Sequence, residues 1–380
     1  MRRFSTPITS TTVLPEPRSL VARLGTVNWT PLAAALVLSV IGMATVHSAS
    51  AELPVDYLPR QIAWVVIGLA LVALMLAIDY HALVDQSPLY YGVSLALVVL
   101  VLAVGREIGG ARSWIGIGSF GGQPAELAKI ATALLLARQL SRAHGEFLSF
   151  KEMVIAVTLV GVPVTFIFLQ DDMGSAAMFV PMAAAAMLVA GVRLRWLIAA
   201  GLLAFLLGAG FWQFGMQDYQ RARVASFVSP ESDPLGAGYQ MRQSKIAVGS
   251  GQLVGRGYGQ GTQSQLRFLP ARHTDFTMAV LAEEWGFFGV VIVFGAYAAY
   301  LGSAVSIATR SRDRAAVLLI AALIALVMFH VLYNTAMVVG LMPITGIPLP
   351  FLSYGGSFML INFATVGLLM SIDLRRDAPR

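Results

Sequence analysis

Charged side chains make up only 12% of this chain, so each cluster of them is informative. The densest cluster is FLPARHTDFTMAV, residues 268–280, where Arg272, His273 and Asp275 precede an apolar run that starts at Phe276. Glu283 and Glu284 follow within about three helical turns. Asp275 could cap the helix that Phe276 begins, but a cap alone does not account for so many ionisable neighbours. A second cluster lies in ARSWIGIGSFGGQPAELAKI, residues 111–130. Pro124 suits the first turn of a helix, which puts Glu126 and Lys129 on one face at i,i+3. Either the pair neutralises itself in a buried place, or Lys129 offers its charge to an anionic ligand while Glu126 holds it. In FLQDDMGSAA, residues 168–177, Asp171 and Asp172 stand where another helix starts. Capping and the helix dipole suffice for them, and two adjacent carboxylates would also hold a divalent cation or a sugar hydroxyl.

Two further stretches look structural. GLMPITGIPLPFLSYGGSF, residues 340–358, carries Pro343, Pro348 and Pro350 and forbids regular helix. It reads as a stiff loop that also forms a cavity wall, because irregular backbone at membrane depth must be buried or line a cavity. His330 and Asn334 are i,i+4 and read as an interhelical hydrogen-bonding pair, not as ligands.

Membrane helices must carry these clusters. Of 380 residues 57% are hydrophobic, and the mean hydropathy is +0.74. A soluble domain carries about twice this charged fraction, and many apolar runs here reach the ~20 residues that cross a bilayer. The expected fold is an all-α polytopic membrane protein with about ten transmembrane helices. The spans fall near 29–49, 60–79, 88–104, 123–140, 153–169, 174–192, 195–214, 276–303, 314–338 and 350–373. One integral-membrane domain, 29–373, would lie between tails 1–28 and 374–380. Lys and Arg gather in the N-terminal tail, around Arg138–Lys151, Arg193–Arg195 and Arg310–Arg314, and after Arg375. The short connections on the other side hold only Arg60, Arg106 and Arg112. Both termini are therefore expected inside, and the net charge of +6 reads as topology, with no nucleic-acid partner. The N-terminus has no cleavable signal pattern.

The large loop between spans seven and eight, about 215–275, would then be extracytoplasmic. YQMRQSKIAVGSG in it has an amphipathic period, with Met241, Ile246 and Val248 among polar residues, and predicts a helix in the interface plane. GSGQLVGRGYGQG, with glycines from 249 to 261, reads as a tight turn that needs positive φ. It lacks the GK[ST] ending of a phosphate-binding loop. Cysteine is absent and the five His show no metal-ligand spacing. The chain lacks the internal repeat that many transporters carry.

QPAELAKI, GYQMRQSKIAVGSGQLVGRGYGQGTQSQLRFLPARHTDF, AEEWGFFG and MPITGIPLPFLSYGGS resemble motifs of the SEDS family (shape, elongation, division and sporulation). They occur in the family's order, and GTQSQLRFLPARHTDF is most similar to the elongation branch. The resemblance covers about residues 29–373. It implies a peptidoglycan glycosyltransferase that polymerises lipid II, a class B penicillin-binding protein as crosslinking partner, and the elongation machinery around both. It places the family's catalytic Asp on Asp275 and its other polar motif residues on Glu126, Lys129 and Asp172. Arg112, Gln243, Ser244, Lys245 and Arg272 complete the candidate substrate contacts. The chain departs from the family at Asp171, where the family has Pro, and at Trp285, where it has Leu. Asp171 leaves open which of the two aspartates faces the cavity.

The implied chemistry suits these residues. Joining an α-linked diphosphate sugar through a β-1,4 bond inverts the anomeric centre, and one carboxylate must take the proton of the attacking hydroxyl. Diphosphate leaves readily once positive charge meets it, from Lys, Arg or a divalent ion such as magnesium or manganese. One Asp beside cations therefore fits better than the carboxylate pair of a glycoside hydrolase. The alternative is a flippase for the same lipid-linked precursor. It needs no base but needs charges along a path to the inner side, whereas here they cluster near one face.

Overall fold

The computed structural model describes residues 24–51, 56–108, 110–117, 120–143, 145–196, 198–202, 236–266 and 268–376, with isolated positions 206, 227 and 229. Twelve helices can be followed in them: α1 Thr30–Ser50, α2 Leu58–Ala77, the short α3 Tyr80–Asp85, α4 Ser87–Val104, α5 Pro124–Ser141, α6 Phe150–Phe168, α7 Met173–Val189, α8 Ala237–Ser250, the short α9 Thr262–Gln265, α10 Thr277–Arg310, α11 Arg314–Val338 and α12 Gly356–Leu374. Seven of these are long and apolar enough to cross a membrane: α1, α2, α4, α6, α10, α11 and α12. α7 is apolar but shorter. α5 is interrupted by Glu126, Lys129 and Arg138, yet it buries almost every side chain against α4, α6, α7, α11 and α12. A helix buried by protein on all sides can hold charge where a lipid-facing one cannot. Of the predicted span 195–214, residues 195–196 and 198–202 are helical. Apart from the isolated positions 206, 227 and 229, its remainder and the first part of the predicted loop lie outside the described residues.

Between α4 and α5 the chain forms a small antiparallel sheet that the periodicity did not reveal: β1 Arg106–Ile108, β2 Ala111–Ile117 and β3 Phe120–Gly122, in that order. Arg112 pairs with Glu107 across β1 and β2. The Arg112 N–H donates to Gln170 O at 3.0 Å, which ties the sheet to the turn before α7.

The amphipathic stretch YQMRQSKIAVGSG lies mostly within the helix α8, as its period predicts. Met241, Ser244 and Ala247 face inward while Ile246 stays exposed. The helix packs on α10 and α11, and small residues permit that close approach.

α10 is broken at Gly286, which adopts φ 65°, ψ −161°. The break frees backbone groups on both sides, and the glycine-rich turn takes them up. Arg256 N and Gly257 N donate to Glu283 O and Glu284 O, both at 3.0 Å. Phe287 N and Phe288 N donate to Gln252 O at 2.9 Å and Leu253 O at 3.1 Å. Gly255, Gly257 and Gly259 have positive φ, as the tight-turn reading requires. Backbone groups in an apolar setting must be paired, so the turn and the break specify each other.

The segment between α11 and α12 is held in the same manner by side chains. Tyr333 Oη donates to Pro343 O at 3.2 Å, Asn334 Nδ2 to Ile347 O at 2.7 Å, and Tyr297 Oη to Pro350 O at 2.6 Å. Its second half, residues 347–353, is largely buried, and the carbonyls of Pro343, Ile347 and Pro350 are satisfied by α10 and α11.

Candidate active site

Pro124 at the start of α5 sets the first turn, and Glu126 and Lys129 project from it into the protein. Lys129 Nζ donates to Glu126 Oε1 at 2.8 Å, with the two residues 1% and 4% exposed. A buried ion pair is tolerable only when both members stay together and their remaining valences are met. Lys129 Nζ also lies 3.5 Å from His330 Nε2 and 5.9 Å from the Phe358 ring centroid. His330 Nδ1 meets Pro348 O at 3.1 Å.

Asp172 is the N-cap of α7. Its Oδ1 accepts from Ser175 N at 3.0 Å, so the capping reading holds. Its other oxygen accepts from Gln123 Nε2, which also donates to Ser175 Oγ at 3.1 Å. Asp172, not Asp171, lines the cavity formed here, and Asp171 sits in the turn with φ 62°. Glu126, Lys129, Asp172, Gln123, His330 and the segment Gly346–Pro348 enclose about 40 Å³. That space admits a water molecule or a phosphate oxygen and excludes a sugar.

Asp275 lies beside the same segment. A Cβ placed on Gly346 would lie 3.6 Å from Asp275 Oδ2, and Gly346 also lines the Lys129 cavity. Asn334 Nδ2 donates to Asp275 O at 2.8 Å. Asp275 is half-buried and directly precedes Phe276, the N-cap of α10. Arg272 is buried three residues earlier. His273 stacks on Tyr57 with ring centroids 4.5 Å apart and 12° between planes, and tilts against Tyr354. Burial, and then the neighbouring Arg272 charge, hold the His273 imidazole below the usual histidine range.

The other predicted contacts lie outside this group. Arg112 is exposed on β2. Ser244 is fully buried and donates to Val338 O at 2.8 Å, a packing role. Lys245 is exposed and lies over Gly340, where any Cβ would collide with it. Gln243 is half-buried on α8. The Glu283 and Glu284 side chains tie α10 to α9 and α1: Glu283 accepts from Gln263 N at 3.0 Å and Thr262 Oγ1 at 3.2 Å, and Glu284 from Ser48 Oγ. Sequence reasoning passed over Gln123 and His330 as site residues. Gln123 opens the QPAEL motif and could have been singled out there. His330 was read for its spacing to Asn334, which says nothing of Lys129. Among the described residues no three His, Asp or Glu side chains gather as a metal site.

The FtsW/RodA/SpoVE family of cell cycle proteins matches this chain over residues 28–378. The chain is 37% identical over 341 residues to the peptidoglycan glycosyltransferase MrdB of Escherichia coli (strain K12), covering 90% of this chain and 92% of that one. Its fold is similar to a chain from a peptidoglycan synthase complex solved for its coordination of polymerization and crosslinking. The TM-score there is 0.81 at 31% identity, over 93% of this chain and 99% of that one. It is also similar to the rod shape determining protein RodA of Thermus thermophilus, with TM-score 0.71 and 29% identity over 93% of this chain and 98% of that one.

Proposed function

The chain belongs to the FtsW/RodA/SpoVE family and is a multi-pass membrane peptidoglycan glycosyltransferase, and we propose that it polymerises lipid II at the outer face of the membrane with Asp275 as general base. The 4-hydroxyl of the acceptor attacks the anomeric carbon of the donor. Asp275 takes the hydroxyl proton, the new O4–C1 bond forms, and the bond from C1 to the lipid diphosphate breaks. Lys129, oriented by Glu126, meets the charge that develops on the departing diphosphate. The cavity of about 40 Å³ is too small for the sugar. The disaccharide then lies next to Asp275, and a phosphate oxygen alone reaches toward Lys129. The observation that carries this reading is that Gly346 both lines the Lys129 cavity and lies beside the Asp275 carboxylate.

The partner is a class B penicillin-binding protein, which crosslinks the strands made here during cell elongation. This reading rests on the likeness to the synthase complex. A flippase reading fares worse. Among the described residues the buried charged side chains are Glu126, Lys129, Arg272, Glu283 and Glu284, with Asp373 at the far end of α12. Asp373 is engaged by Asn28 N at 2.7 Å and Arg376 at 3.0 Å, so among the described residues no chain of buried charges leads across. Conversion of purified lipid II into glycan strands in detergent, where no two sides exist, tests the enzyme reading. Failure of the parent protein with its partner to make any polymer there would return the flippase reading to first place.

A further inference from the structure

His330 is 3% exposed on α11, and its two ring nitrogens meet unlike partners. Nδ1 lies 3.1 Å from Pro348 O and Nε2 lies 3.5 Å from Lys129 Nζ. A carbonyl oxygen can only accept, so Nδ1 carries the hydrogen. An ammonium can only donate, so Nε2 presents its lone pair. The two contacts together select one neutral tautomer. The Phe358 ring packs on the imidazole, centroids 5.1 Å apart, and keeps it from turning away. Asn334, one turn further along α11, fixes the same segment through Ile347 O at 2.7 Å, so Pro348 O cannot shift freely to follow the ring.

We propose that His330 is a positioning residue for the transfer reaction: as a neutral, Nδ1-protonated imidazole it holds the Lys129 ammonium between itself and Glu126, and takes no proton of its own. The inference deepens the reading of Lys129 as the diphosphate contact and rests on it. A lysine held by one carboxylate alone is drawn toward that carboxylate and away from other anions. A second acceptor on its other side balances that pull, and a neutral one does so without adding negative charge. A carboxylate in the place of His330 would make the cluster net negative and repel diphosphate. Neutral imidazole leaves two of the three ammonium donors engaged and the third for the ligand.

The test measures binding of fluorescently tagged lipid II, and its polymerisation, by the purified protein with its penicillin-binding partner. His330→Gln offers an amide oxygen in place of Nε2, whereas His330→Asn retains only the bond to Pro348 O. His330→Asn is expected to weaken lipid II binding about tenfold, the size of one charge-assisted contact, and His330→Gln to recover most of that loss. In the Glu126→Gln/Lys129→Met background, His330→Asn should add less than about twofold, because the partner through which it acts is gone. Equal harm from Gln and Asn, or full additivity in that background, would make His330 a packing residue and overturn the inference. If the background itself binds lipid II as the parent does, the diphosphate reading of Lys129 fails and carries this one with it. If the background binds weakly and His330→Asn binds normally, this inference alone fails. Should the Asn variant not fold, ¹⁵N spectra of the histidine-labelled parent decide. The His330 signal, identified by its loss in His330→Gln, should stay Nδ1-protonated and neutral between about pH 6 and about pH 8. A charged or Nε2-protonated ring there overturns the proposal.

Discussion

Asp275, Glu126, Lys129 and His273 each make a separate claim at the scale of one side chain. Because Asn caps a helix about as well as Asp, the substitution Asp275→Asn does not act through a lost cap. Polymerisation is expected to fall by about 10²–10⁴-fold with the thermal midpoint and partner binding retained. Turnover within about threefold of the parent would remove Asp275 as the base. Glu126 and Lys129 pose a different problem, since each is buried with the other as counter-charge. Removing one strands the other at a cost of about 3–5 kcal/mol, so Lys129→Ala confuses folding with chemistry. The double change Glu126→Gln/Lys129→Met removes both charges. It should fold with about the parent's thermal midpoint and lose roughly 10–100-fold in turnover; normal turnover would mean that the pair is structural. His273 brings a pH dependence. Its folded imidazole is held below the usual value by burial and by Arg272, so the unfolded chain binds the proton first as pH falls. The stability from the buried neutral ring is complete above the usual value of about 6.5 and is lost as pH drops below it toward the depressed folded value. Thermal midpoints in detergent should therefore fall between about pH 7 and about pH 5. His273→Phe, which can still stack on Tyr57, should show a smaller fall, and an equal fall in both proteins would acquit His273.

At the scale of the element, the break in α10 and the turn that fills it form one unit. Gly286 occupies a backbone region open only to glycine, worth about 1–3 kcal/mol in strain to another residue. A Cβ there would also collide with Gly255 N and the Leu253 carbonyl. Gly286→Ala should undock residues 251–259, lower the thermal midpoint and speed tryptic cleavage after the exposed Arg256. Gly295 on the same helix has open space around it, so Gly295→Ala should do neither. Equal behaviour of the two variants would mean that the dock is not what Gly286 secures. None of this break was legible in WGFFGVV, where the apolar run continues unbroken and periodicity sees one helix. The reason for breaking lies some thirty residues upstream, in the turn that supplies the hydrogen bonds. The spans themselves were legible, because crossing a bilayer demands length and apolarity that a sequence displays directly. The turn at 249–261 was legible through its glycines. The helix α8 was legible through its amphipathic period, but which of its apolar residues meets protein was not, because Met241 is buried and Ile246 exposed by the packing of α10 and α11. The sheet at 106–122 was missed because two of its strands have three residues each, too few to display a period. Asp275 and Lys129 were legible as costly ions in an apolar chain, but their common wall, Gly346, is a product of the tertiary fold.

For the whole molecule, the fold fixes which groups share a side of the bilayer. From Phe287 to Arg310, α10 runs for about 24 residues, or roughly 36 Å at 1.5 Å per residue, against a hydrocarbon core of about 30 Å. The glycine-rich turn docked at Gly286 and the short connection after Arg310 must then lie on opposite faces. Asp275, the cavity around Lys129 and α8 all sit with the former, through Gly346, Asn334 and the packing of α8 on α10 and α11. The Arg-rich connections lie with the latter, and the positive-inside rule supports the proposed orientation, with the site outside and the termini in the cytosol. The chain has no native cysteine, so single cysteines report this cleanly. Arg242→Cys on the exposed face of α8 should react with an impermeant maleimide in intact cells, and Arg312→Cys, exposed in the connection between α10 and α11, only after the membrane is opened. Reaction of both from outside would mean that α10 does not cross. The reverse pattern would put Asp275 and Lys129 in the cytosol, away from the compartment in which glycan strands are built, and the proposed mechanism would fall with it.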